Sequence, residues 1–406
     1  MKYSRLWVAV AVIALLAAVY GVYPYTNLRT GVRSGTTAST RRVGLPAAKG
    51  TANHLTLSQL CRYADSVGVD TSRYVSAPSD SPSERNRKLS ALLLDVRYGA
   101  KPARVTYTGL RERIDSTWTQ RTVASVSPAF LKQMMPFGPY QQLVAQYNAL
   151  RRAPNTSGKA DTLRRIRQTL NFYRYTNRFG NDPFVLINIP AGELTVFDRN
   201  GTRLLSMPVI VGRSDQRTPC MTTYVKDIVA YPNWNVPSSI ALDEMLPRMR
   251  RNPLYIYEQN LQLIDEQGRE LDPEEIDWDG LTTNNFPYRI RQVSGDENAL
   301  GLLKFNLQNP LAIYLHDTNS RDLFTLSADR WRSHGCVRVQ KPVELANWML
   351  GRPAFDAGFM KRHAYGQTSR TLSLPKPVPV FITYNTADVD SAGRLRVYRD
   401  VYGFEK

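Results

Sequence analysis

Histidine and cysteine are scarce in this chain, four and three among 406 residues. With no C-x-x-C pair and no H-x-x-x-H pair, the sequence lacks the knuckles from which structural zinc sites are usually built. Three cysteines is an odd count, so at least one thiol stays unpaired within a single chain. Acidic side chains are missing from residues 24–53, which carry Arg29, Arg33, Arg41, Arg42 and Lys49. Charge of either sign is missing from Leu6 to Tyr23, 18 residues preceded by Lys2 and Arg5 and closed by Pro24.

That uncharged run has the length of a membrane span, which takes ~17–25 residues, and exceeds the ~7–15 apolar residues of a usual signal peptide. Residues 1–25 are read as an uncleaved signal anchor in the inner membrane, with a leader cleaved near Val19-Tyr20-Gly21 as the alternative. Both export the rest of the chain. The cations after the span run against the positive-inside rule. Residues 26–53, rich in Gly, Thr, Ser and Ala, read as a flexible basic linker.

What remains is a folded chain, long enough for two domains, with 42% hydrophobic residues. Residues 54–178 read as a helical scaffold domain: Leu89, Leu92, Leu93 and Val96 recur at helical spacing after Ser83-Glu84, and Ser127-Pro128 looks like a cap followed by a first-turn proline. The segments 139–152 and 159–177 continue the pattern. This region holds twenty Lys and Arg against eight Asp and Glu, so the basicity of the chain belongs to scaffold and linker. With export expected and no nucleic-acid motif visible, anionic lipid head groups or acidic wall components suit that charge better than nucleic acid.

From Phe184 the texture changes to strands. Phe184–Ile189, Leu194–Phe197 and Leu204–Val211, separated by Pro190-Ala191-Gly192 and Asn200-Gly201, predict an antiparallel meander. Ser238-Ser239 is read as the cap of a helix over 240–250, and 251–298 as a charged insertion. Pro342 to Leu350 reads as a helix stopped by Gly351, Val378 to Tyr384 as a core strand, and 386–406 as a C-terminal strand or tail. The fold class is therefore α+β, with a mainly antiparallel β domain over 179–385.

Two of the four histidines and one of the three cysteines fall between Tyr314 and Arg338. An apolar run, Leu311 to Leu315, predicts a strand that delivers Tyr314-Leu315-His316-Asp317-Thr318. The stretch closes on Ser333-His334-Gly335-Cys336-Val337-Arg338. A glycine before a cysteine permits a tight turn that exposes a nucleophile beside backbone N–H groups. A catalytic thiol needs a histidine or cation to favour its thiolate, and His316, His334 and Arg338 are candidates. Taken singly, each residue would more simply be a buried thiol or a hydrogen-bonded imidazole. Zinc held by His316, His334 and Cys336, with Cys220 as a fourth ligand, is a competing reading.

The order of a histidine, then about twenty residues, then S-H-G-C-V-R resembles the active-site signature of the L,D-transpeptidases, the YkuD-like enzymes that cross-link peptidoglycan. Ile210-Val211-Gly212-Arg213, Arg217-Thr218-Pro219, Pro232 to Pro237, Ala299-Leu300-Gly301 and Val378 to Tyr384 follow the order of the larger periplasmic members. Asp317 stands where many members have glycine, and His334 where the larger ones often have serine. The resemblance implies a YkuD-like β-sandwich, a lid formed by 251–298, and a location on the periplasmic side of the cell envelope, which outweighs the cations behind the span.

It also implies roles. Cys336 would be the nucleophile and His316 the general base, with the Asp317 backbone orienting the imidazole. Gly335 N–H and the Tyr314 hydroxyl would serve the oxyanion, and Arg338, His334, Ser333 and Trp234 the substrate. The implied reaction joins stem peptides by 3→3 cross-links through a cysteinyl thioester, with no cofactor and with carbapenems as inhibitors. A murein carboxypeptidase or an inactive wall-binding protein are the alternatives. Cys61 and Cys220 could pair in an oxidising compartment, although Cys220 reads better as a core cysteine.

Overall fold

The computed structural model describes residues 56–122, 127–361 and 367–405. The predicted anchor and linker lie outside these residues. Among those described, no helix is long and apolar enough to cross a membrane.

Among the described residues from Leu57 to Phe179 the chain is mainly helical, with the strand Val105–Thr108 between helices. Leu57–Ser66 starts at a capping box formed by Thr56 and Gln59. Pro82–Tyr98 starts at another, formed by Ser81 and Glu84, at the polar start read in the sequence; Pro82 sits in the first turn, where its missing N–H costs nothing. Ser127 Oγ accepts from Phe130 N and Pro128 follows it, as the sequence predicts. Gly138–Arg152 and Lys159–Thr176 complete the scaffold.

The strands, in chain order, are β1 (Val105–Thr108), β2 (Phe184–Asn188), β3 (Glu193–Phe197), β4 (Arg203–Gly212), β5 (Cys220–Ala230), β6 (Trp234–Asn235), β7 (Leu261–Ile264) and β8 (Glu270–Leu271). They continue as β9 (Arg289–Gln292), β10 (Leu303–Leu307), β11 (Leu315–His316), β12 (Trp331–Ser333), β13 (Val337–Val339), β14 (Arg370–Thr383), β15 (Ala387–Val389) and β16 (Leu395–Val397). The meander β2-β3-β4 is antiparallel as expected. The main sheet runs β1-β5-β10-β11-β13-β4-β3-β2-β14, and β14 also pairs with β5, so the sheet closes on itself. Closure satisfies strand edges that would otherwise stay unpaired.

The strands are mainly antiparallel, as expected, with four exceptions: β1–β5, β11–β13, β12–β4 and β14–β2 are parallel. Each joins strands separated by a long excursion of chain, which a hairpin cannot supply.

Two cores use the two faces of this sheet. One collects Val185, Ile187, Leu194, Val209, Phe305, Leu315 and Val337 with Leu345 and Met349 of helix Pro342–Leu350, which Gly351 ends in the left-handed region as predicted. The other joins Leu92, Tyr140, Leu170 and Tyr173 of the scaffold to Phe184, Leu186, Phe197 and Phe381. Neighbouring residues in β2 thus point to opposite cores, the period-two signature of a strand buried on both sides.

The insertion has its own sheet, β6-β9-β7-β8, and its own core of Ile240, Met245, Leu246, Met249, Ile256, Leu263, Trp278 and Ile290. It therefore begins at Trp234, earlier than residue 251, because the helical segment 238–251 supplies half of that core. The segment opens behind Pro237 with no side-chain cap, so Ser238 and Ser239 do not cap it, and it carries a π-helical stretch, Ala241–Met245.

Candidate active site

Local chemistry shapes the approach to His316. Asn309 Oδ1 accepts from Leu311 N (2.9 Å) and Ile313 N (3.2 Å), and its Nδ2 donates to Ile313 O (2.7 Å). This side chain folds 309–313 into a loop with Ala312 at φ +55°. The strand expected over Leu311–Leu315 accordingly shrinks to Leu315–His316. Asn309-Pro310 is a turn dipeptide, a signal that could have shown the loop in advance.

The parallel ladder between β11 and β13 sets the register Leu315 with Val337 and His316 with Arg338. Side chains two apart share a face of a strand, and paired residues share a face of the sheet. Leu315 and Val337 therefore enter the core, while Tyr314, His316, Cys336 and Arg338 share the opposite face. All four line one cavity of about 520 Å³, with Trp234, Glu244 and Arg248 of the insertion on its other side. The ladder between β10 and β11 sets Lys304 opposite His316, and its Nζ lies 4.4 Å from the Tyr314 ring centroid. Sequence reasoning missed Lys304, for which no motif signals.

Gly335, at φ +112°, turns the chain where an L side chain would be strained. Two hydroxyls fasten the turn. Ser333 Oγ accepts from Gly335 N (3.2 Å) and donates to Cys336 O (2.6 Å). Thr218 Oγ1 donates to Gly335 O (2.7 Å) and accepts from Gly212 N (2.8 Å). Two expected roles are corrected here: Gly335 N–H is already engaged and does not face an oxyanion, and Ser333, buried, spends its hydroxyl on the turn and not on substrate. Cys336 N–H has no hydrogen bond among the described residues. Thr218 is held in turn by Tyr402, whose hydroxyl accepts from Thr218 N (3.2 Å) and donates to Gly212 O (2.7 Å). The C-terminal segment, expected as an edge strand or tail, thus runs under the Gly335 turn, with Tyr384, Tyr402 and Phe404 packed together.

His334 lines the cavity, and its Nε2 lies 2.5 Å from Glu244 Oε1. Asp317 buries its carboxylate, which accepts from Leu302 N (2.8 Å) and pairs with Arg321 (2.5 Å). Among the described residues no three of His, Cys, Asp and Glu come together as metal ligands, and Cys61 and Cys220 are free thiols. Cys220 is a core residue whose burial pushes its pKa up to about 12.

Burial drives the His316 pKa down to about 3; Arg338 and Lys304 push the same way, and hydrogen bonding with the Asp317 backbone opposes them. Burial also raises the Cys336 thiol, against the pull of Tyr314, Lys304 and Arg338. Its Sγ rests 3.6 Å from Ala312 O. Burial raises Tyr314 as well, so the phenol stays a donor. At neutral pH the site thus holds a neutral thiol and a neutral imidazole. Such a pair can pass a proton when an electrophile arrives, and two cations stand ready to stabilise the sulfur anion.

Residues 182–380 match the model of the YkuD L,D-transpeptidase catalytic domain. A putative L,D-transpeptidase of Haemophilus influenzae is 37% identical over 255 residues, covering 62% of this chain and 50% of the relative. The chain thus spans about half the length of that relative. Among solved structures, an L,D-transpeptidase from Mycobacterium smegmatis (15% identity, TM-score 0.23) covers 50% of this chain and 58% of its own. The E. faecium L,D-transpeptidase catalytic domain acylated by ertapenem (11% identity, TM-score 0.21) covers 50% of this chain and 98% of its own. The chain therefore carries, over residues 182–380, an L,D-transpeptidase catalytic domain of the YkuD family.

Proposed function

We propose that this protein is a cysteine-dependent L,D-transpeptidase that forms 3→3 cross-links between peptidoglycan stem peptides. The observation that supports this reading above others is the shared sheet face that gathers Tyr314, His316, Cys336 and Arg338 into one cavity. Cys336 Sγ attacks the carbonyl of the third residue of a donor tetrapeptide. His316, neutral at physiological pH, takes the thiol proton and passes it to the departing D-alanine amine. Cys336 N–H and the Tyr314 hydroxyl stabilise the oxyanion, at ~3–4 kcal/mol per donor in comparable sites. Lys304 and Arg338 offset the charge on sulfur, and Arg338 is free to hold a substrate carboxylate. The amine of a second stem peptide then attacks the thioester, returning the thiol.

The insertion over the cavity serves as a lid that keeps water from the thioester. The enzyme works on the periplasmic side of the cell envelope, held at the inner membrane by residues 1–25, and carbapenems acylate Cys336.

The test is incubation with a disaccharide tetrapeptide in the presence of a chelator. D-Alanine should be released and the remaining acyl mass gained on Cys336, then discharged into a cross-linked dimer when acceptor is supplied. Release of D-alanine without cross-linking under any acceptor would make the protein a carboxypeptidase. Inhibition by the chelator would restore the zinc reading.

A further inference from the structure

Proton balance in the second half of the reaction sets a demand that His316 alone does not meet. An acceptor amine of ordinary pKa is an ammonium at neutral pH and has no lone pair for attack. It loses one proton before it attacks the thioester and a second as the amide forms. The second has a path: His316 takes it and returns it to the Cys336 sulfur as the C–S bond breaks. The first needs another acceptor, and an ammonium entering the cavity needs a negative charge to meet it.

The cavity wall is otherwise cationic. Arg217, Arg248 and Arg338 line it, and Lys304 lies against the Tyr314 ring. Among the described residues that line it, Glu244 is the one acid. Its side chain is 37% exposed and so open to a bound group, whereas the Asp317 carboxylate is buried and taken up by Arg321 and Leu302 N. An ionised carboxylate only accepts, so His334 Nε2 donates to Glu244 Oε1, and Nδ1 of the neutral ring keeps its lone pair. The carboxylate favours the imidazolium, which suits the pair to take up a proton. His334 is two residues from Cys336 across the Gly335 turn, and both line the same cavity, so the pair borders the thioester. Glu244 itself comes from the insertion, in the π-helical stretch Ala241–Met245, an irregularity that gathers at functional sites.

Given the transpeptidase reading, on which this rests, we infer that Glu244 binds the ammonium of the acceptor and that the Glu244–His334 pair takes its first proton. The ammonium gives that proton to His334 Nδ1, the freed lone pair attacks the thioester carbonyl, and the imidazolium later releases the proton to water. The insertion then does more than exclude water: it supplies the charge that selects the second substrate. Intact-protein mass spectrometry of the full chain separates the half-reactions. A disaccharide tetrapeptide with its free amine acetylated can acylate Cys336 but cannot serve as acceptor. The accumulated acyl-enzyme is then offered a stem peptide with its amine free, or hydroxylamine, which is uncharged at pH 7 and needs neither attraction nor that first deprotonation. Glu244→Gln should acylate within about twofold of wild type, discharge to the stem peptide at least about tenfold more slowly, and discharge to hydroxylamine within about twofold. Equal slowing with both nucleophiles, unchanged discharge to the stem peptide, or loss of acylation in the variant overturns the role of Glu244 and leaves the transpeptidase reading standing. A wild type that is never acylated by tetrapeptide, blocked or free, or never discharges into the stem peptide, removes that reading and this role together.

Discussion

His316 and Arg338 stand directly opposite each other across a parallel ladder, although 21 positions separate them in sequence. A cation beside an imidazole disfavours its protonation, and burial does so more strongly. His316 is thus kept as a free base. His334, two residues from Cys336, is occupied with Glu244.

The first expectation separates the two histidines. His316→Gln should slow acylation of Cys336 by about 100-fold or more, the usual scale for loss of a general base, while His334→Ser should retain measurable turnover. Intact-protein mass spectrometry against time, with a carbapenem and with tetrapeptide, reads both. Equal damage would remove His316 from its role.

The second concerns pH and stability. His316 titrates at about 3 when folded against 6.5 unfolded, so the unfolded chain binds the extra proton between these values. Its contribution is complete above pH 6.5 and is lost as pH falls, at about 1.4 kcal/mol per pH unit. Asp388, raised to about 6 by burial, acts in the opposite sense and is common to both proteins compared. Urea unfolding from pH 7 to 4 should show wild type losing stability relative to His316→Gln; parallel curves would contradict it.

A third expectation tests the support beneath the Gly335 turn. Tyr402→Phe leaves Gly212 O and Thr218 N buried without their partner, at a cost of ~1–3 kcal/mol. Because Thr218 holds Gly335 O, acylation should slow as well, although residue 402 touches no substrate. Denaturant unfolding and acylation rates together decide it, and a variant that loses stability but acylates at the wild-type rate would confine Tyr402 to structure.

A fourth addresses Asp317, which stands where many members of the resembling family have glycine. A Cβ on Gly301, at φ +59°, would lie 2.3 Å from Asp317 Oδ2. Gly301→Ala should therefore destabilise by more than the ~1–2 kcal/mol that left-handed backbone costs an L residue. In an Asp317→Gly background the carboxylate clash disappears while Thr318 N, 2.7 Å from that Cβ, remains, so the added cost should fall without reaching the backbone penalty alone. A double-mutant cycle by urea unfolding measures the coupling, and additive effects would show that Gly301 does not make room for the carboxylate.

The sequence by itself determined what short-range patterns can carry. The histidine and the S-H-G-C-V-R run marked the chemistry, because reactive residue types packed into 25 positions have few other reasons to be there. The β2-β3-β4 meander followed from its turn residues, and the helix 342–350 from its opening proline and closing glycine. Tertiary structure decided the rest. The parallel pairing of β11 with β13 puts His316, Tyr314 and Cys336 on one face, and no periodicity announces which strands will pair across a twenty-residue excursion. Lys304 became part of the site only through β10, and Tyr402 only because the chain end folds beneath Thr218. Ser333 and Gly335 N–H looked available in the sequence, yet a tight turn must satisfy its own buried polar groups, and these two satisfy each other.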